Sequence, residues 1–136
     1  MAIIEEVIHD HLTRELELLV KPDIRVEYDR LKPPTQIDFV ALDAAAKTIY
    51  FVKVAGDTKL RRRKDLNTKL NRNARTSIES VVLRNMHLAG LAFPVKWLLF
   101  VRRINKERTE DLPNIRDMIS EGTCEVRTLE DILETR

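Results

Sequence analysis

The 136 residues predict an α/β sandwich built on a hairpin-rich sheet, in the order helix, three strands, helix, strand, then helix, strand, helix. Three observations predict it. A hairpin is legible from Gln36 to Lys53, an unbroken apolar run from Val95 to Val101 reads as a strand buried on both faces, and apolar residues at three- and four-residue steps flank these strands as helices. Because three strands arrive before any crossover helix, the sheet is not of the doubly wound kind.

The first helix is expected over Ala2 to Leu19, where Ile4, Val7, Ile8, Leu12, Leu16 and Leu19 form one stripe, and Pro22 ends it. Glu5 and Glu15 flank that stripe and would face the sheet, whereas Glu6 and Glu17 would face water. Ile24 to Tyr28 alternates as a short strand, and the Pro33-Pro34 pair excludes helix before the next one. In that second strand Asp38 stands between Ile37 and Phe39, and in the third Lys53 stands between Val52 and Val54. Asp43 to Lys47 is short enough for an antiparallel turn between them. A charge in an apolar strand is costly unless paired or bound to metal, so two opposite charges on neighbouring strands are either a salt bridge or an active site.

Gly56 and Asp57 break the third strand. A long helical pattern follows from about Lys64, with Leu66, Leu70, Ala74, Ile78, Val81, Val82 and Ala89 on one side; Thr76 with Glu79 forms an alternative start as a capping box. Gly90 and Pro94 bracket its end. After the Val95 to Val101 strand, a helix begins near Leu112 with Pro113 in its first turn and Gly122 just past its end. Thr123 to Arg127 is a last strand, and Thr128 caps a final turn from Leu129 to Glu134.

Length and a 43% apolar content suit one domain over 1–136. The single cysteine, Cys124, excludes a disulfide framework and reads as a lone buried thiol of a reducing compartment. Glu5 and Glu6 stand where a signal peptide wants basic and then apolar residues, and no apolar run approaches the roughly 20 residues of a membrane span, so a cytoplasmic protein without membrane contact is expected. Three glycines and one cysteine leave no Gly-rich phosphate loop and no zinc cluster. His9 and His11, two apart on the first helix, are poorly placed as joint metal ligands.

The net charge of +2 hides an asymmetry. Between Thr58 and Arg75 eight basic residues, Lys59, Arg61, Arg62, Arg63, Lys64, Lys69, Arg72 and Arg75, face Asp65 alone, which leaves 16 basic against 21 acidic residues elsewhere. A charge run is commonly a solvated face, but this density favours contact with the phosphates of a nucleic acid. An aromatic content of 5% argues against a base-stacking platform, so duplex DNA is favoured over RNA.

With Asp38 on the second strand and Lys53 near the end of the third, the chain resembles the PD-(D/E)XK phosphodiesterase superfamily, from Ala2 to about Val101. The resemblance implies a restriction-endonuclease-like three-layer sandwich and hydrolysis of phosphodiesters with Mg2+ or Mn2+. Asp38 would be a metal ligand, Lys53 the catalytic lysine, and Glu5 the first-helix acid and second metal ligand, with Glu15 as the other choice. The sequence departs from the pattern at Phe51, where an acid two residues before Lys53 belongs, and Pro34 lies four residues before Asp38 rather than beside it. The missing acid would come from Glu5, from Glu79 on the following helix, or from a second subunit, since small nucleases of this fold commonly act as homodimers. Against the enzyme reading stand a structural ion pair between adjacent strands, and a non-catalytic interaction or assembly subunit that retains the fold.

Overall fold

A computed structural model describes residues 3–55 and 60–134, with the backbone alone described for residues 60–63. Lys59 and the strand break expected at Gly56 and Asp57 lie outside the described residues. The first helix, α1 (Ile3–Asp10), is shorter than its apolar stripe and runs into one π turn over His11–Glu15. The Thr13 hydroxyl donates to the His9 carbonyl at 2.8 Å, a side-chain bond that competes with the helical ladder, and Glu17 then reverses the chain at φ 55°. Leu16 and Leu19, which extended the stripe in sequence, are both exposed. Leu19 opens β1 (Leu19–Val26), longer than the strand expected at Ile24, and Pro22 lies inside it rather than before it. The sheet tolerates that proline because β1 is an edge strand, with no neighbour beyond it to need an N–H.

The hairpin expected from sequence is present as β2 (Thr35–Asp43) and β3 (Thr48–Ala55). Asp43 Oδ1 accepts from the Ala46 N–H at 2.9 Å, the side-chain closure that makes Asp a turn residue, and Lys47 takes φ 52°. The long helical pattern that follows is broken in two, α2 (Leu60–Lys69) and α3 (Arg72–Asn85). Asn71 is the cause: extended at ψ 154°, it accepts from the Ala74 N–H and caps α3. Thr76 therefore lies inside α3, exposed, and the helix does not start at a Thr76–Glu79 capping box.

The remaining strands and α-helices are β4 (Val95–Val101), α4 (Lys106–Glu110), α5 (Pro113–Glu121), β5 (Cys124–Thr128) and α6 (Leu129–Glu134), with single 3-10 turns at Ala89–Leu91 and Arg103–Asn105. Gly122 takes φ 77° at the end of α5, where a side chain would be strained, and Thr128 Oγ1 accepts the Asp131 N–H at the start of α6. Sequence reading missed α4, a five-residue charged turn with no apolar period to betray it.

The five strands form one mixed sheet in the order β1-β2-β3-β4-β5, antiparallel from β1 to β3 and parallel from β3 to β5. Alternation along β3 and β4 sends Ile49, Phe51, Trp97 and Leu99 to one face and Val52, Leu98 and Phe100 to the other. On the first face they pack with Leu66 of α2, Leu70 just after it, Ile78 and Val82 of α3, and Ile115 and Met118 of α5. The second face is covered by Ile8 of α1, Leu12 of the π turn, and Leu129 and Ile132 of α6. The end of the sheet where β2 begins and β3 finishes is where α2 follows, so it holds both Lys53 and the basic run.

Candidate functional site

Asp38 and Lys53 stand where the β2–β3 ladder stops and the β1–β2 ladder skips a step. The last paired step of β2 with β3 is Phe39 with Val52, and the next step would set Asp38 against Lys53. On the other side the β1 ladder steps from Pro22–Phe39 to Ile24–Ile37, passing over Asp23 and Asp38, and Asp23 adopts φ 55°. Aspartate tolerates that left-handed region, and Asp23 Oδ1 accepts from Gln36 Nε2 at 3.2 Å.

The freed side chains bond to backbone before they bond to one another. Lys53 Nζ donates to the Gln36 carbonyl at 2.6 Å, and Asp38 Oδ2 accepts the Val54 N–H at 2.7 Å. The two charges are 3.9 Å apart, an ion pair at the long end of the range. Burial pushes the Asp38 carboxyl above the ordinary carboxylate range, with Lys53 and the Val54 N–H pulling it back and Asp23 adding to the rise. Burial pushes the Lys53 amine below the ordinary lysine range, with Asp38 opposing that and the Lys69 ammonium reinforcing it. Both groups thus move towards their neutral forms despite facing each other, because desolvation outweighs a 3.9 Å attraction.

Phe51 shares the face of Lys53, and it is 0% exposed, edge-on to Trp97 with ring centroids 5.2 Å apart. An aromatic ring fills the position from which a second carboxylate would reach an ion. Among the described residues no group of three His, Cys, Asp or Glu side chains is arranged to hold a metal. Asp38, with one oxygen already committed to the Val54 N–H, does not by itself fit Mg2+, which demands a near-octahedral oxygen shell.

Of the other acids, Glu5 on α1 is half-buried, and its charge is the smallest of the influences on Lys53, favouring the charged form of the amine. Glu15 is turned away, its Oε2 2.6 Å from His11 Nδ1. Glu79, on α3, lies over another part of the sheet. It is 3.9 Å from Arg75 Nε and lies beside the buried Trp97 indole N–H, which makes no well-formed hydrogen bond to a described residue. Trp97 pairs with Phe51 and Leu99 with Lys53, so Glu79 is level with a point two residues, or about 7 Å, back along β3 from the lysine. Burial also raises the Glu79 carboxyl, against the pull of Arg75 and Trp97.

The basic run divides by environment. The helix α2 carries Arg61, Arg62, Arg63, Lys64 and Lys69 against Asp65, and Lys64 is exposed. Lys69 is half-buried and near Lys53. Arg72 is 77% exposed and bonded to Glu121 at 3.1 Å, whereas Arg75 keeps only 13% of its side chain exposed and turns inward onto Glu79. Sequence reading missed the Gln36 carbonyl and the Val54 N–H as the primary partners of the pair. No side-chain pattern signals a backbone partner. His9 and His11 both reach the sheet, against Phe39 and Phe100.

No family model matches this chain, and neither a curated protein nor a solved structure matches it.

Proposed function

We propose that this chain is a nucleic-acid-binding domain that meets the phosphate backbone, that of duplex DNA in preference to RNA, through α2 and the lysines at the neighbouring end of the sheet. One observation carries the reading: α2 sets five cations against one acid in ten residues, and its last, Lys69, approaches Lys53 closely enough to disfavour that amine's charge. A phosphate bound beside these two lysines would offset the like charge that Lys69 adds at Lys53. Asp38 and Lys53 are then an incomplete metal site whose present role is to close the sheet end. Hydrolysis with Mg2+ or Mn2+ would need a carboxylate beyond Asp38, and Glu5, whose charge acts on Lys53, is the candidate.

The test is fluorescence anisotropy of labelled duplex DNA against salt. Four or more neutralised phosphates give a log–log slope steeper than about −3.6; a slope near −1 or flatter overturns the reading. Incubation of duplex, branched and single-stranded DNA with Mn2+, wild type beside Asp38→Asn, then separates binding from cleavage. Cleavage lost in the variant makes the site a working one, and none from either protein leaves binding as the function.

A second reading, an assembly subunit and homodimer, has one observation in its favour. A groove of about 290 Å3 between α1 and α6 is lined by Ile3, Ile4, Val7 and Leu133, and Ile3 is 79% and Leu133 56% exposed. Light scattering of wild type and Ile3→Glu decides it: a dimer lost in the variant supports this reading, and a monomer at high concentration removes it.

A further inference from the structure

A cleft of about 560 Å3 opens between the loop that joins β1 to β2 and the C-terminal half of α3. Arg30 and Lys32 reach it from the loop and Arg84 from the helix. All three are exposed, and none makes an ion pair or side-chain hydrogen bond with a described residue. That sets them apart from Arg72, Arg75, Arg102, Arg103, Lys106 and Arg127, each of which is paired with an acid of its own chain. Of the two acids at the cleft, Glu27 is exposed with only a distant cation for company among the described residues, and Asp29 is committed to the loop. Glu27 lies 3.9 Å from Arg25, and Asp29 builds the loop itself, its Oδ1 accepting the Leu31 N–H and its carbonyl the Lys32 N–H. Asp29 thereby holds the turn that presents the two cations.

The remaining wall is apolar and fixed. Tyr28 and Val81 pack against the main core, and Pro34 closes the third side. Leu31, at the loop tip between the two cations, is 93% exposed. A bare anion needs no such wall, whereas a planar ring carried on a phosphate uses both halves of the cleft, and the volume lies within the roughly 300–1,000 Å3 of small-ligand sites.

We infer that this cleft takes a nucleotide unit, with Arg84, Arg30 and Lys32 on its phosphate and its base against Tyr28. The loop leaves the same end of the sheet as Lys53 and α2, so, resting on the proposed function, the unit is the unpaired end of a bound strand. A free nucleotide has the same chemistry.

The probes are thymidine 5′-monophosphate, inorganic phosphate, and labelled duplexes with blunt ends or a 5′ overhang, titrated into wild type, Arg84→Ala and Lys32→Ala. Both substitutions are of exposed side chains, and unchanged circular dichroism melts establish that the fold is kept. The nucleotide is expected to bind at least tenfold more tightly than phosphate, to weaken at least tenfold in each variant, and to be mimicked by the overhang but not by the blunt end. Nucleotide and phosphate binding equally, affinity unchanged in both variants, or displacement of the nucleotide by a polyglutamate peptide at lower concentration would each overturn the inference. If the nucleotide binds through Arg84 while neither duplex binds, the cleft belongs to a free nucleotide and it is the proposed function that falls. If the duplex binds through α2 while no nucleotide does, the reverse holds.

Discussion

Lys53 Nζ lies 2.6 Å from the Gln36 carbonyl and 3.9 Å from Asp38 Oδ2, so the lysine is anchored to the backbone of the strand that carries its counter-ion more firmly than to the counter-ion. The aspartate reciprocates, spending one oxygen on the Val54 N–H, the residue after the lysine. Each charge therefore closes a gap in the other strand's ladder.

Removing one partner leaves the other charge and a backbone donor stranded. Asp38→Ala is expected to destabilise the fold by about 3 kcal/mol, the low end for breaking a buried pair, because Lys53 keeps the Gln36 carbonyl. Urea unfolding, read as a fall in midpoint at constant slope, measures it; a loss below about 1 kcal/mol would make the pair a surface one.

The pH dependence has opposite signs for the two groups. Asp38 holds its proton more tightly folded than unfolded, so between the ordinary value of 3.8 and its raised native value stability falls as pH rises. Lys53 releases its proton more readily folded than unfolded, so between its lowered native value and 10.5 stability rises with pH. Melts from pH 3 to 11 are expected to show both slopes, with Asp38→Asn reducing the acidic one and leaving the part that the raised Glu79 carboxyl contributes with the same sign.

Phe51→Glu places an acid two residues before Lys53, at a position where the ring is fully buried against Trp97. It is expected to cost roughly 4 kcal/mol or more, combining a lost core aromatic with a desolvated carboxylate. No rise in Tm with Mg2+ should accompany it. A rise of several degrees would show that Asp38 and the new acid can share an ion.

Trp97 is the only tryptophan, so its emission reports on one place. With Glu79 beside its indole N–H, the emission should titrate with a midpoint above the ordinary glutamate value of 4.5, and that transition should vanish in Glu79→Gln. A transition surviving the substitution would assign it to another group.

Cys124 is buried in β5 and its thiol is pushed up to about 12 by burial, which the nearby Arg75 only partly offsets. Little thiolate exists at neutral pH, so Ellman's reagent should leave the native protein unmodified and react with one thiol after denaturation.

Period and punctuation made the element types readable. The Val95–Val101 run was uninterrupted, Pro113 and Gly122 bracketed α5, and Asp43 to Lys47 was short enough to make a hairpin; each signal lies within one element or one turn. Boundaries failed where a single polar group intervened. Thr13 and Glu17 ended α1 before its stripe ran out, and Asn71 cut one helix into two. The candidate pair was visible as two charges in apolar strands, since any buried charge advertises its cost.

The sequence by itself determined an α/β chain with a basic run after its third strand and an acid and a lysine on neighbouring strands. Only the tertiary structure decided that Glu79 lies beside Trp97, that Arg75 turns inward, and that Arg30, Lys32 and Arg84 converge on one cleft with no ion-pair partner among the described residues. The physical reason is range: propensity and period act over a few residues along the chain, whereas desolvation and pairing depend on which distant side chains arrive at the same place.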